Sequence, residues 1–372
     1  MEKRNSIKIC IIGNNASGHN LTDGGRIKIR LYKQILESQK HKVSFVDLDG
    51  WKKRIPHLIY KLRKRIIECE TILIMAGPKG CRVIIPLVNY LNRNCKKRTV
   101  FCPLGIGTLD YLIEKMPTEK VTKFLSCEDF FGIKDDKMAF NLSKLDVIIP
   151  QNEVLTKVYR SFYKINNCFT LPNFRDIDIQ RRLYSYDINQ HIFSITFISR
   201  IKEEKGIFLL LEAIKSLNAF HDDMTFKLDI YGENQLSIKE NLLFASYFDD
   251  NIRYKGVLPH HSTIDVLSKY DLFCLPTKYH GEGTPGVLLE SLISGTPPLI
   301  SSYSQADYII ENGVNGFIFK MNDVNDLRDK IYFCAKNCEM MKTVSHNCQI
   351  LAQQYTFEYN KELFSKYVVG IK

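Results

Sequence analysis

Short apolar runs that stop at a glycine recur along this chain, and residues with helical spacing follow them. The run 7–12 stops at Gly13, 227–231 at Gly232 and 252–255 at Gly256. A brief, continuous apolar run fits a strand buried on both faces. Such strands alternating with helices fit a parallel sheet covered by helices. Strands are predicted at 7–12, 43–46, 71–75, 98–102 and 145–150; the pattern lapses in polar sequence up to Gln190, then restarts at 193–198, 227–231, 252–255 and 272–276. Helices are predicted from Gly24 to about residue 40, over 83–92 and 152–162, from Gly206 to about 218, and over 265–269, 287–293 and 357–369. With 372 residues there is room for two such sheets. The expected fold class is α/β with two domains, 1–172 and 173–356, and a separate C-terminal helix within 357–372.

Composition narrows the class further. Hydrophobic residues make up 45% and charged residues 25%, as in globular proteins. No apolar run approaches the ~18 residues that span a bilayer. The first residues run straight into a strand with too short an apolar stretch for a signal peptide, so a cytoplasmic location is expected. The 11 cysteines lack paired short spacings. Cys334 and Cys338 stand one helical turn apart with no second pair or histidine beside them, which favours buried free thiols over zinc. Asp47-Leu48-Asp49 closes a strand and reads as a turn.

The net charge of +11 is uneven. Residues 1–175 hold 32 Lys and Arg against 16 Asp and Glu, a surplus of +16, while the remainder is at −5. The densest part is 51–67, with Lys52, Lys53, Arg54, Lys61, Arg63, Lys64 and Arg65 and no acid between them. Trp51, Ile55, Leu58, Ile59 and Leu62 form an apolar stripe at helical spacing among these cations. One reading is a solvated basic face on a packed helix. The other is a surface that docks on anionic lipid headgroups.

The stretch 277–297 reads TKYHGEGTPGVLLESLISGTP. A glycine- and proline-rich turn follows a buried strand and opens an apolar helix, which Gly295 and Pro297 end. Free backbone N–H groups and the helix dipole at such a place favour an anion. Glu282 and Glu290 have seven residues between them, and Glu290 lies among Leu289, Ser291 and Ser294 on a helix that reads as buried. A charge placed there needs a partner. Arg200 and Lys205 flank another strand-to-helix turn, and Gly232 and Gly256 follow two further strands. All of these stand at C-terminal ends of predicted parallel strands, where α/β sheets bind ligands. The loop 13–25 is neither a dinucleotide fingerprint nor a P-loop, because its glycine and lysine spacings are wrong.

The Glu282/Glu290 pair resembles the E-x7-E signature of retaining glycosyltransferases of family 4, which have the GT-B fold; Thr284 and Pro285 replace the usual aromatic-containing turn. The resemblance implies two Rossmann-like domains facing a cleft, a C-terminal helix that crosses back to the first domain, and transfer of a hexose from a UDP- or GDP-sugar with no required cofactor or metal. It implies that Arg200 and Lys205 bind the donor diphosphate and that Glu282 lies by the transferred sugar. Glu290 is implied to hold the ribose, with Gly283, Thr284, Pro285, Gly286 and Val287 around the diphosphate. Gly232, Gly256, Val257 and Leu258 would line the donor, and Gly24 and Gly25 would match the family's Gly-Gly loop. Many relatives carry a catalytic histidine near 103–110; here none is present, and Gly107 and Asp110 are the acceptor-side candidates. The Gly283–Gly286 turn and the linker Leu171-Pro172-Asn173-Phe174-Arg175 resemble bacterial capsule, O-antigen and lipopolysaccharide enzymes, which implies a lipid-linked saccharide acceptor and a peripheral place on the membrane. Two alternatives stay open: a nucleotide-sugar 2-epimerase of the same fold, and a nucleic-acid-binding protein that uses the basic half. The second lacks the aromatic-basic interleaving of a nucleic-acid module.

Overall fold

A computed structural model of the chain describes residues 6–14, 24–177, 191–259, 262–280, 282–303 and 305–370. Two compact units emerge, Met1–Asp176 with Phe357–Lys372, and Ile177–Thr356.

The first unit holds a five-stranded parallel sheet of β1 (Lys8–Gly13), β2 (Lys42–Asp47), β3 (Thr71–Met75), β4 (Arg98–Phe101) and β5 (Val147–Ile148), in the order β2-β1-β3-β4-β5. Ile9 to Ile12 and Ile72 to Met75 are fully buried, which is why these strands read as continuous apolar runs. Its helices are α1 (Gly24–Ser38), α2 (Ile55–Glu68), α3 (Pro78–Asn92), α4 (Asp110–Ile113), α5 (Thr118–Leu125), α6 (Asp136–Leu142) and α7 (Glu153–Phe162). Helix α3 begins earlier than 83 because Pro78 stands at its start, where a missing N–H costs nothing. Asn152 caps α7 by accepting from the Leu155 N–H at 2.9 Å. In the β2 turn, Asp47 accepts the Asp49 N–H at 3.0 Å, as a turn-forming aspartate does.

The second unit holds a six-stranded parallel sheet: β6 (Ile192–Ile198), β7 (Thr225–Tyr231), β8 (Ile252–Tyr254), β9 (Leu272–Leu275), β10 (Pro298–Ser301) and β11 (Phe317–Phe319), ordered β11-β10-β9-β6-β7-β8. Its helices are α8 (Ile207–Phe220), α9 (Ile238–Ser246), α10 (Thr263–Leu267), α11 (Gly286–Ser294), α12 (Val324–Lys336) and α13 (Cys338–Ala352). Strand β10 was not legible because Pro297-Pro298 reads as a helix stop. A proline is tolerated as the first residue of a strand, and that is where Pro298 stands.

The last helix, α14 (Phe357–Phe364), belongs to the first unit. Tyr32 of α1 stacks on Phe174 at 5.7 Å and meets Phe364 edge-on at 5.0 Å. Arg98 at the start of β4 donates to the Tyr367 and Val368 carbonyls at 2.7 and 3.1 Å. All 11 cysteines are free and eight are buried. Among the described residues no helix is long and apolar enough to cross a membrane, and no His/Cys/Asp/Glu cluster could hold a metal ion.

The apolar stripe of the basic segment needs correction. Leu58, Leu62 and Ile66 enter the core, whereas Ile55 and Ile59 are 48% and 38% exposed. Ile55 stands in the first turn of α2 and Ile59 at the margin of its buried face, and Trp51 lies outside the helix in a separate 3₁₀ turn. Trp51 itself packs against the core cluster and is not part of the open surface.

Candidate donor site at the C-terminal sheet edge

Strand β6 starts the second unit, and the chain then runs to β7 on one side and returns as β9 on the other. The C-terminal ends of β6 and β9 therefore flank a topological switch point, the place where open α/β sheets leave a crevice. The loops there are stitched by close backbone contact. Gly206 closes the β6–α8 turn at φ +74°, and a Cβ on it would lie 1.8 Å from the Pro276 carbonyl oxygen beyond β9. Gly232, after β7, is equally tight: a Cβ would lie 1.8 Å from the Ser199 carbonyl oxygen. The Gly232 N–H donates to the Gly256 carbonyl at 2.9 Å, so the ends of β6, β7 and β8 form one continuous edge.

Two of the sequence candidates meet at the switch point. The Lys205 ammonium, at the foot of α8, forms an ion pair with Glu282 Oε2. Their side chains are 10% and 14% exposed. Such a pair stands where solvent screens little. Thr277, fully buried beyond β9, donates its hydroxyl to the same Glu282 oxygen at 3.1 Å. Its carbonyl accepts from the Ser301 hydroxyl of β10 at 2.6 Å. Glu282 is thus held from two strand ends, and Thr277 is itself held from a third.

The remaining donor candidates spread along this edge. Gly283 and Thr284 are buried, and Pro285, Gly286 and Val287 are half-buried at the opening of α11. The first N–H groups of a helix have no partner within it, so this end suits an anion. Glu290 is only 5% exposed on α11. The helix ends at Gly295, which adopts φ +73° as a left-handed cap. Arg200 follows β6 and is half-buried. Val257 is exposed and Leu258 half-buried after Gly256. Cations, a helix N-terminus and carboxylates at one sheet edge can bind a ligand that carries both phosphate and hydroxyl groups.

Sequence reasoning missed Thr277, Ser301, Tyr303 and His280. None gives a spacing signal, because each acts through the fold of its strand end. The Tyr303 hydroxyl, two residues past β10, is buried with no hydrogen-bond partner among the described residues. Burial, then the Glu282 charge, pushes its ionisation well above the ordinary tyrosine range. His280 is held below its usual pKa by burial.

The first unit contributes the other candidates. Gly24 and Gly25 open α1 at the same kind of edge, and most of the loop before them, residues 15–23, lies outside the described residues, as does Gly281. Gly107 is buried at φ +63°, and a Cβ there would lie 2.6 Å from the Tyr159 hydroxyl. That glycine is accounted for by packing. Asp110 opens α4 and is half-buried.

Residues 185–349 match the family model described as Glycosyl transferases group 1. The amylovoran biosynthesis glycosyltransferase AmsK of Erwinia amylovora is 26% identical over 310 residues, 78% of this chain and 76% of that protein. The poly(ribitol-phosphate) alpha-N-acetylglucosaminyltransferase of Staphylococcus aureus is 26% identical over 63% of this chain and 45% of its own length. An Escherichia coli UDP-Gal:alpha-D-GlcNAc-diphosphoundecaprenol alpha-1,3-galactosyltransferase is 23% identical over 46% and 43%. The chain spans 34% to 46% of the length of the first curated relatives it matches. Among solved structures, Anabaena HepE in complex with UDP aligns over 98% of this chain and all of that one, with a TM-score of 0.71 at 13% identity. The likeness shows the fold: GT-B, with two parallel-sheet, Rossmann-like units.

Proposed function

We propose that the chain is a retaining glycosyltransferase of family 4, moving a hexose from a UDP- or GDP-sugar to a lipid-linked saccharide during cell-surface polysaccharide synthesis. The observation that carries this reading is the Lys205–Glu282–Thr277 cluster at the switch point of a unit that matches the glycosyl transferases group 1 model. Relatives named for amylovoran synthesis and for a diphosphoundecaprenol acceptor support the pathway and the acceptor class. An epimerase acting on the donor alone is disfavoured, because these relatives are named as transferases.

In this mechanism the bond from the anomeric carbon to the donor phosphate breaks and a glycosidic bond to the acceptor hydroxyl forms on the same face. The hydroxyl proton passes to the leaving diphosphate. Arg200 and Lys205 offset the charge that grows on that diphosphate, and the N–H groups at Gly286 and Val287 add to this. Glu290 accepts from the ribose hydroxyls, and Glu282 orients the sugar and faces its developing positive charge. The Gly24-Gly25 opening of α1 contributes to donor binding, and Asp110 to the acceptor side.

The anionic membrane is the proposed partner of the first unit, placing the enzyme on the inner face of the cell membrane. Helix α2 supports this reading, since Ile55, Ile59, Tyr60 and Ile67 are exposed among Lys61, Arg63 and Lys64. Lys52, Lys53 and Arg54 are exposed beside its N-terminus, and Arg65 is half-buried.

Thermal unfolding with a panel of UDP- and GDP-sugars tests the donor reading. A donor at a hundredfold its Kd should add about 2.7 kcal/mol of stability. Arg200→Ala should keep the unliganded stability and lose most of the shift. No shift with any sugar nucleotide at millimolar concentration would sink the proposal.

A further inference from the structure

We infer that Thr277 is a positioning residue for Glu282, and that binding of the donor diphosphate exchanges Glu282 for phosphate as the partner of Lys205. The inference rests on the donor-site reading above and adds a residue and an order of events to it.

The Lys205 ammonium and the Glu282 carboxylate are each other's ion-pair partners at the switch point. Lys205 has no second carboxylate on it among the described residues. A diphosphate at this edge carries more negative charge than one carboxylate, so it competes for Lys205 directly. When Lys205 turns to phosphate, Glu282 loses its counter-charge while it remains mostly buried. A buried carboxylate in that position needs a hydrogen-bond donor.

Thr277 is that donor, and the hydrogen bonds fix the direction of its proton. The Tyr279 N–H donates to the Thr277 hydroxyl oxygen at 3.3 Å, leaving the hydroxyl proton for an acceptor. Two acceptors are in reach. The Glu204 carbonyl is 3.4 Å away and already accepts the Lys278 N–H at 2.8 Å. Glu282 is nearer, at 3.1 Å, and charged, so the carboxylate takes the proton's bond. Thr277 cannot follow Lys205 away, since it is fully buried and its carbonyl is held by Ser301. It keeps Glu282 aimed at the place where the sugar hydroxyls arrive.

Calorimetric titration of the full chain with UDP and UDP-glucose, and with GDP and GDP-mannose in parallel, tests the exchange as a double-mutant cycle. Thr277→Val keeps the side-chain shape and removes the hydroxyl. It should weaken nucleoside diphosphate binding about tenfold, equal to about 1.4 kcal/mol, although Thr277 is fully buried. Thr277→Ser should restore it. Glu282→Gln frees Lys205 and should tighten nucleoside diphosphate binding at least about threefold while weakening sugar nucleotide binding. In the Glu282→Gln background, Thr277→Val should have no further effect. The inference is overturned if Glu282→Gln binds the nucleoside diphosphate no tighter, or if Thr277→Val costs the same in both backgrounds. The Glu282→Gln comparison stands by itself should Thr277→Val not fold. If the wild type binds none of the four nucleotides, the donor-site reading fails, and the inference with it, before any variant is compared.

Discussion

At the scale of single residues, the site depends on glycines as much as on charges. Gly206 and Gly256 both adopt positive φ, at +74° and +77°, yet their surroundings differ. A Cβ on Gly206 would collide with the Pro276 backbone, whereas nothing lies within 4 Å of one on Gly256. Gly256→Ala should therefore cost only the left-handed backbone strain, about 1–2 kcal/mol. Gly206→Ala should cost clearly more, because two backbone segments must separate, and it should disturb Lys205 at the same time. Urea unfolding of both variants checks this ordering; equal costs would mean that the β6–α8 turn yields easily. The spacing of Glu282 and Glu290, and Arg200 and Lys205 flanking one turn, were legible in the sequence because each is a local arrangement that the family resemblance picks out. The Lys205–Glu282 contact was not, since 77 residues separate the two.

At the scale of elements, α2 shows what periodicity can and cannot give. Its buried face, Leu58, Leu62 and Ile66, repeats every four residues as a core-facing helix should. The leftover apolar residues Ile55, in the first turn, and Ile59, Tyr60 and Ile67 are exposed together with the cations. Each cation near an anionic surface contributes about 1 kcal/mol, and the exposed apolar side chains add burial in the headgroup region. Co-sedimentation should show binding to anionic vesicles and not to neutral ones, and it should fade with salt. Changing Lys52, Lys53, Arg54, Lys61, Arg63 and Lys64 to Gln should abolish it. Retained binding in the folded variant, or equal binding to neutral lipid, would leave α2 a solvated face.

For the whole molecule, buried thiols make alkaline pH the vulnerable direction. Burial pushes Cys10, Cys81 and Cys168 up to about 12, and Cys69 and Cys102 up to about 11, from an ordinary value of 9.0. A thiol whose folded pKa is raised holds its proton when the unfolded chain has released it. The stabilising contribution is complete below pH 9 and is lost as pH rises towards 11 and 12. Each such group shifts the balance by about 1.4 kcal/mol per pH unit within that window. The melting temperature under reducing conditions should fall steeply above pH 9, and Cys10→Ala or Cys168→Ala should make the fall shallower. A flat alkaline profile would contradict this.

The sequence by itself determined the two α/β sheets, most strand positions, the charge asymmetry and the spacing of the carboxylates. These are local properties: burial on both faces forces continuous apolar strands, and turns force glycine. Only the tertiary structure decided that Lys205, Glu282, Thr277 and Ser301 form one network, that α14 packs with α1, and that the stripe of α2 is divided between core and surface. The first of those outcomes depends on the order β10-β9-β6, which brings distant strand ends side by side, and the other two on how helices pack against the sheet of the first unit. Strand order is a choice among global packings, and no single segment carries it.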